Sequence, residues 1–199
     1  MNARIRQQFN FVAGLVYREH YISNLYQLTL DMVTATDDPE QQNIAYERIK
    51  YWVEDVLADS VLIQADDATL DAHRATGRRV HVLPQEPIDS VLGMMIYLKT
   101  NAVAEDRILV TEVALSSTEG GEVIYLHGSE EEDAEIFAGA GWWRDPKPYC
   151  VDKKNRRKIN SNVIALDRLP EWTDLGLDWE NVQEKPSVVI TNFTRDDKK

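Results

Sequence analysis

A change of hydrophobic period near residue 60 constrains this chain more than any other feature. Before it, apolar residues fall at helical spacing: Ile5, Phe9, Val12 and Val16, then Ile22, Leu25, Leu28 and Met32. After it, short alternating runs of β-forming residues are joined by one strongly apolar segment at helical period. The pattern predicts an α+β fold with an N-terminal helical hairpin, packed with a mixed, partly antiparallel sheet of roughly four to six strands and one covering helix. Residues 1–60 read as the hairpin and 61–199 as the α+β portion, the two forming one compact unit.

The spacing predicts a first helix over 3–34, weakened at Gly14 and bent or restarted at Arg18-Glu19-His20. Asp38, Pro39 and Glu40 form a strong start signal: a side-chain acceptor for free N–H groups, a fixed φ, and an acid at the positive end of the dipole. The helix that follows, over 39–58, carries Ile44, Ile49, Trp52, Val53 and Val56 on one face. The N-terminal stripe is longer than one small sheet would cover, so it predicts a homo-oligomer formed through these helices.

Further on, 61–63 reads as a buried strand, 66–75 as a short helix closed by Gly77, and 79–83 as a strand. Pro87 opens a helix to about 104 with Val91, Leu92, Met95 and Leu98 in its stripe. Strands at 107–116 and 122–127 form a hairpin about Glu119-Gly120-Gly121. An acidic run (130–135), a Gly/Trp/Pro loop (139–148) and a basic run (153–158) follow, then strands at 162–166 and 187–193.

Composition excludes several function classes. The chain has 34 acidic and 22 basic residues, a net charge of −12, which repels bulk nucleic acid and anionic membranes. Its single cysteine, Cys150, excludes an intrachain disulfide and paired-cysteine zinc sites, and fits a reducing cytoplasm. The N-terminus has no apolar signal core, and no run approaches the ~18 apolar residues of a membrane helix. Phosphate-loop and dinucleotide glycine patterns are missing, so no cofactor is expected.

Four groups of residues carry candidate chemistry. An even-numbered turn with Ser117 opposite Glu122 sets Glu112 opposite His127. A carboxylate there would raise and orient the imidazole as a general base toward water, which is the hydrolase or metal-enzyme reading, with Asp66 or Asp67 nearby. A one-residue slip separates the pair. Asp66, Asp67, Asp71 and His73 suit a divalent ion by type, but His73 faces away from Asp71 on a helix and calcium-loop spacing is absent, so they read as a cap and a solvated helix face and no metal is expected. Lys153, Lys154, Arg156, Arg157 and Lys158 could contact phosphates, with Tyr149 and the tryptophans stacking bases, or could simply answer the acidic run. Trp142, Trp143 and Arg144, with Trp172, have the residue types of interface hot spots, against which stands the reading that the indoles close the core. His20 and His81 fit no signature, and His81 reads as a satisfied core or edge residue.

The segment 47–57 (Glu-Arg-Ile-Lys-Tyr-Trp-Val-Glu-Asp-Val-Leu), the stretch Glu86-Pro87-Ile88-Asp89, residues 108–127, and Gly141-Trp142-Trp143-Arg144-Asp145-Pro146 resemble uncharacterised proteins carried by tailed phages of marine bacteria. The resemblance implies a viral protein acting in a bacterial cytoplasm or particle, and implies no activity. With no complete active site, an acidic balance and two tryptophan-bearing loops, the sequence favours a non-enzymatic protein-interaction or assembly factor. The hydrolase built on Glu112 and His127 is the alternative, and nucleic-acid binding through 153–158 the third.

Overall fold

In a computed structural model the structure describes residues 3–128, 135–149 and 170–180. The N-terminal segment 4–34 is not the first arm of a helical hairpin. It is a long antiparallel β-hairpin of β1 (Arg4–Tyr17) and β2 (His20–Thr34), which pair from Arg4 opposite Val33 to Tyr17 opposite His20. The helical spacing was one of two periods in the same residues. Phe9, Phe11, Ala13 and Leu15 recur every second position, as do Tyr26, Leu28, Leu30 and Met32, and all eight are buried. The connection is Arg18-Glu19, both left-handed at φ 49° and 65°. That is the geometry of the tight hairpin turn that matches strand twist, made here without the usual Asn-Gly. The homo-oligomer expected through N-terminal helices loses that helical premise, since residues 4–34 are strands.

The helix over 39–58 is present as α1 (Pro39–Tyr51), which runs into a π-helical turn at Trp52–Leu57. Asp38 caps it, its carboxylate accepting from the backbone N–H of Glu40 at 2.9 Å. The wider turn brings Trp52, Val53, Val56 and Leu57 all into the core. Then come β3 (Val61–Gln64), α2 (Leu70–Ala75), β4 (Val80–Leu83), α3 (Asp89–Ala104), β5 (Ile108–Ser117) and β6 (Tyr125–Gly128), close to where the sequence places them. The six strands form one mixed sheet in the order β4-β3-β1-β2-β5-β6. β3 runs parallel to both of its neighbours, and the pairings of β1 with β2, β2 with β5 and β5 with β6 are antiparallel.

The hairpin predicted to be half of a helical layer is therefore the centre of the sheet. α1 and α3 cover one face, packing on each other and on Phe9, Phe11, Tyr26, Leu28, Leu30, Val110, Val113 and Leu115. β3 alternates: Leu62 joins this main core, while Val61 and Ile63 point the other way and form a smaller cluster with Val16 and Leu70 of α2. So α2 covers only the β3–β4 corner of the opposite face. Among the described residues, no helix covers the rest of that face, across β1, β2, β5 and β6.

The β5–β6 connection is tied to α3. The Ser117 hydroxyl donates to the Asp89 carboxylate at 2.7 Å and accepts from the Gly120 N–H at 3.0 Å, and Asn24 Oδ1 accepts from the Glu119 N–H at 3.1 Å. A Cβ on Gly120 would collide with the Asp89 carboxylate, which explains the glycine. Burial raises the Asp89 pKa above the usual carboxylate range, with the Ser117 hydroxyl and backbone opposing the shift.

Candidate functional site

An open cleft of about 940 Å³ lies where β1 begins and β2 ends, walled by β5 and β6. Arg6 and Asp31 cross its floor as a bidentate pair, Nε to Oδ1 and Nη2 to Oδ2, both at 2.7 Å. The hydrogen bond from Arg6 holds the Asp31 carboxyl below its ordinary range, and the same contact raises Arg6. Asp31 lies opposite Glu112, but the next pair is Met32 with Val110, so Thr111 is an extra residue on β5. α3 stabilises this bulge from the covered side: Asn101 Oδ1 accepts from the Val110 N–H at 2.9 Å and its amide donates to the Val110 carbonyl at 3.1 Å. The Thr111 hydroxyl donates to the Asp31 carbonyl at 3.1 Å.

Glu112 and His127 both border this cleft but are not a cross-strand pair. Glu112 lies opposite Gly128, and His127 opposite Val113. The register is one residue from that expected, which sends the two side chains to opposite faces. Glu112 is exposed on the open face, while His127 is 5% exposed and meets Tyr97 of α3 edge to face at 5.0 Å. The slip arises in the turn. Gly121 and Glu122 are consecutively left-handed, at φ 66° and 62°, and pairing resumes only at Tyr125 opposite Leu115. Asp66 and Asp67 do not join them. They border a shallow hollow with Glu19 at the hairpin tip, eleven strand positions from Asp31 and so about 36 Å away at ~3.3 Å per residue.

The other acidic residues have local duties. Asp67 Oδ1 accepts from the Thr69 N–H at 2.8 Å and hydroxyl at 2.6 Å, Asp71 pairs with Arg74 at 3.3 Å, and His73 stacks on Tyr21 at 5.8 Å. Among the described residues no three His, Cys, Asp or Glu side chains converge as metal ligands. The basic run 153–158, Cys150, the strands expected at 162–166 and 187–193, and acidic residues 130–134 lie outside the described residues.

The tryptophan loops face inward. Trp172 is 8% exposed, and its indole N–H donates to the Pro146 carbonyl at 2.7 Å. Trp142 donates to the Val82 carbonyl at 2.8 Å and lies on His81, with ring centres 5.0 Å apart. Trp143 packs edge to face on Phe137 at 5.1 Å, and the half-buried indoles of Trp142 and Trp143 meet at 6.0 Å. Arg144 is exposed, and its guanidinium reaches back to the Phe137 carbonyl at 3.3 Å.

Two buried cations hold these loops, and the sequence reading missed both. Lys99 of α3 is fully buried, its ammonium donating to the carbonyls of Asp145 at 2.6 Å, Lys147 at 2.8 Å and Trp142 at 3.3 Å. Arg48 of α1 donates to the Leu177 carbonyl at 2.7 Å, pairs with Glu105 at 2.7 Å, and lies 3.7 Å from the Trp179 ring centre and 4.8 Å from that of Trp172. Burial lowers the Arg48 pKa, and Glu105 opposes the shift. One signal was available: Lys99 is the only basic residue of α3, a helix that is mostly apolar around its circumference. His81 is buried between Trp52 and Trp142, with Nε2 3.2 Å from the Val56 carbonyl; burial lowers its pKa to about 4.

No family model matches the chain, and no curated protein matches it. Among solved structures it is similar to an uncharacterised protein from Wolinella succinogenes at 13% identity and a TM-score of 0.45, covering 65% of this chain and 99% of that one. It is also similar to a catalytic-residue mutant of 6-pyruvoyltetrahydropterin synthase from Plasmodium vivax at 11% identity and a TM-score of 0.39, covering 64% and 97% respectively. Likeness at this level carries no argument about activity.

Proposed function

We propose that the protein is a non-enzymatic interaction module that binds a partner protein through the open face of its sheet. The carrying observation is where apolar surface is left exposed. Val12, Leu25, Leu109 and Leu126, at 43, 46, 42 and 58% exposure, all stand on the face that α1 and α3 do not cover. Between them lie the flat, polar or small side chains of Gln27, Thr29 and Ala114. An open face of this kind, with a charged cleft at one end, suits a broad protein contact better than a small substrate. The tryptophans favoured by residue type support the loops instead. No helix among the described residues is long and apolar enough to cross a membrane. The single cysteine fits a reducing cytoplasm as the place of action, that of a bacterial host if the chain is viral.

A photo-crosslinker placed at position 25 or 126 tests this reading. A single protein species captured from both positions, and not from position 143, is the expected result. Capture from 143 alone would return the contact to the tryptophan loop.

A further inference from the structure

The sheet face that α1 and α3 leave uncovered is ordered in rows running from β1 to β2 and, where pairing continues, to β5 and β6. The row Arg6–Asp31–Glu112 holds one cation and two carboxylates, and Asp31 takes up the cation. Next come Gln8–Thr29–Ala114–Leu126, then Asn10–Gln27–Ser116, then Val12–Leu25. The last row is Gly14–Ser23, where the Tyr21 ring lies against Gly14 and leaves no room for a Cβ. Arg78 donates to the Tyr21 hydroxyl at 2.8 Å. The face thus has a surplus carboxylate at one end, a cation at the other and three uncharged rows between. A basic partner of a chain with net charge −12 would be met by acids, and these three rows hold none. A neutral face matches another neutral face, and the row order is self-complementary.

Set two such sheets face to face, with a two-fold axis between them that crosses the strands at the Asn10–Gln27 row. The rotation exchanges the rows in pairs. Val12 and Leu25 of one copy come over the row of Ala114 and Leu126 in the other. Glu112 comes over the end that carries Tyr21 and Arg78. At the axis the amides of Asn10 and Gln27 meet their own copies, and each amide both donates and accepts. A two-fold along the strands would instead set each Asp31–Glu112 row against itself, and like charge opposes it. We propose that two copies of this chain pack head to tail through these sheet faces, so that the partner of the open face is the chain itself. This rests on the reading of that face as a protein contact. The five rows span roughly 26 Å along the strands and roughly 19 Å across four of them, about 500 Å² in projection. Side-chain relief carries the accessible area past the ~600 Å² per partner at which stable interfaces begin.

Sedimentation equilibrium of the purified full chain over a range of concentrations tests this. A dimer is expected, and Leu25→Arg should raise its dissociation constant about a hundredfold. Gln27→Glu, at an exposed position on the axis, sets two carboxylates together and should raise it about tenfold, less at high salt. Glu112→Arg should also weaken the dimer about tenfold, and adding Arg78→Glu should restore most of the loss. A monomer at every concentration would overturn the proposal, as would a dimer that neither Leu25→Arg nor Gln27→Glu disturbs. Dimer loss in those two variants with no rescue by the charge swap would overturn the head-to-tail order. The reading of the face fails separately: a monomer whose crosslinkers at 25 and 126 both capture one different protein keeps the contact face and loses the second copy, and no capture from either position loses both.

Discussion

The two sides of the sheet treat apolar residues in opposite ways. On the helical side, five tryptophans lie in or against the main core, and the loops carrying four of them are held down by the buried cations Lys99 and Arg48. On the other side, ordinary aliphatics such as Val12, Leu25 and Leu126 stand in solvent. Residue type alone ranks the tryptophans as contact residues; geometry ranks the aliphatics. A buried ammonium needs several oxygen partners, and three carbonyls of one loop supply them, so the indoles beside it become structural.

Breaking the anchor should have the largest effect. Lys99→Met strips the 142–147 carbonyls of their donor and should cost about 3–5 kcal/mol, with the tryptophan emission shifted to the red. A chain that keeps its stability and its emission would show the loop to be held by the indoles alone.

Next comes the imidazole under that loop. His81 has a folded-state pKa of about 4 against an ordinary 6.5, so between those values the unfolded chain binds the extra proton. Stability through this group is present above pH 6.5 and is lost as pH falls toward 4, by about 3 kcal/mol. Denaturant titrations at pH 7 and pH 4 should show a smaller difference in His81→Phe than in the parent; an equal difference would place the acid sensitivity elsewhere.

The central hairpin offers a smaller gain. Arg18→Asn with Glu19→Gly puts residues suited to positive φ where Arg and Glu now stand, and should raise stability by about 1 kcal/mol on thermal unfolding. A loss would mean that the Arg18–Tyr17 contact, 5.0 Å from cation to ring centre, outweighs the turn strain. The smallest effect belongs to the open face. Leu25→Thr should change stability by no more than about 0.5 kcal/mol while weakening partner capture. A large destabilisation would mean that Leu25 packs in the monomer and would blur the contrast between the sides.

The chain from 39 to 117 was legible because its signals are local. Asp38-Pro39-Glu40 starts a helix by chemistry within one turn, and Val61-Leu62-Ile63 or the stripe of α3 fits only one period. The N-terminal hairpin was not, because Ile5, Phe9, Val12 and Val16 satisfy a helical count while Phe9, Phe11, Ala13 and Leu15 satisfy a strand count. The turn that decides between them, Arg18-Glu19, has no residue that announces positive φ. The Glu112–His127 pair failed for a related reason. Where pairing resumes after Ser117 depends on the Asp89, Asn24 and Gly120 contacts that shape the connection, and Asp89 and Asn24 are distant in sequence.

The sequence by itself determined the caps, the short strands, the apolar helix α3, the acidic balance and the opposed charge runs, since each depends on neighbours within a few positions or on composition. Tertiary structure decided that residues 4–34 are the sheet's centre and which face of β5 each side chain takes. It also decided that Trp142, Trp143 and Trp172 support the fold. These turn on strand register and on partners such as Lys99 with Asp145 or Arg48 with Trp179, where a one-residue shift reverses the face and no local pattern records the choice.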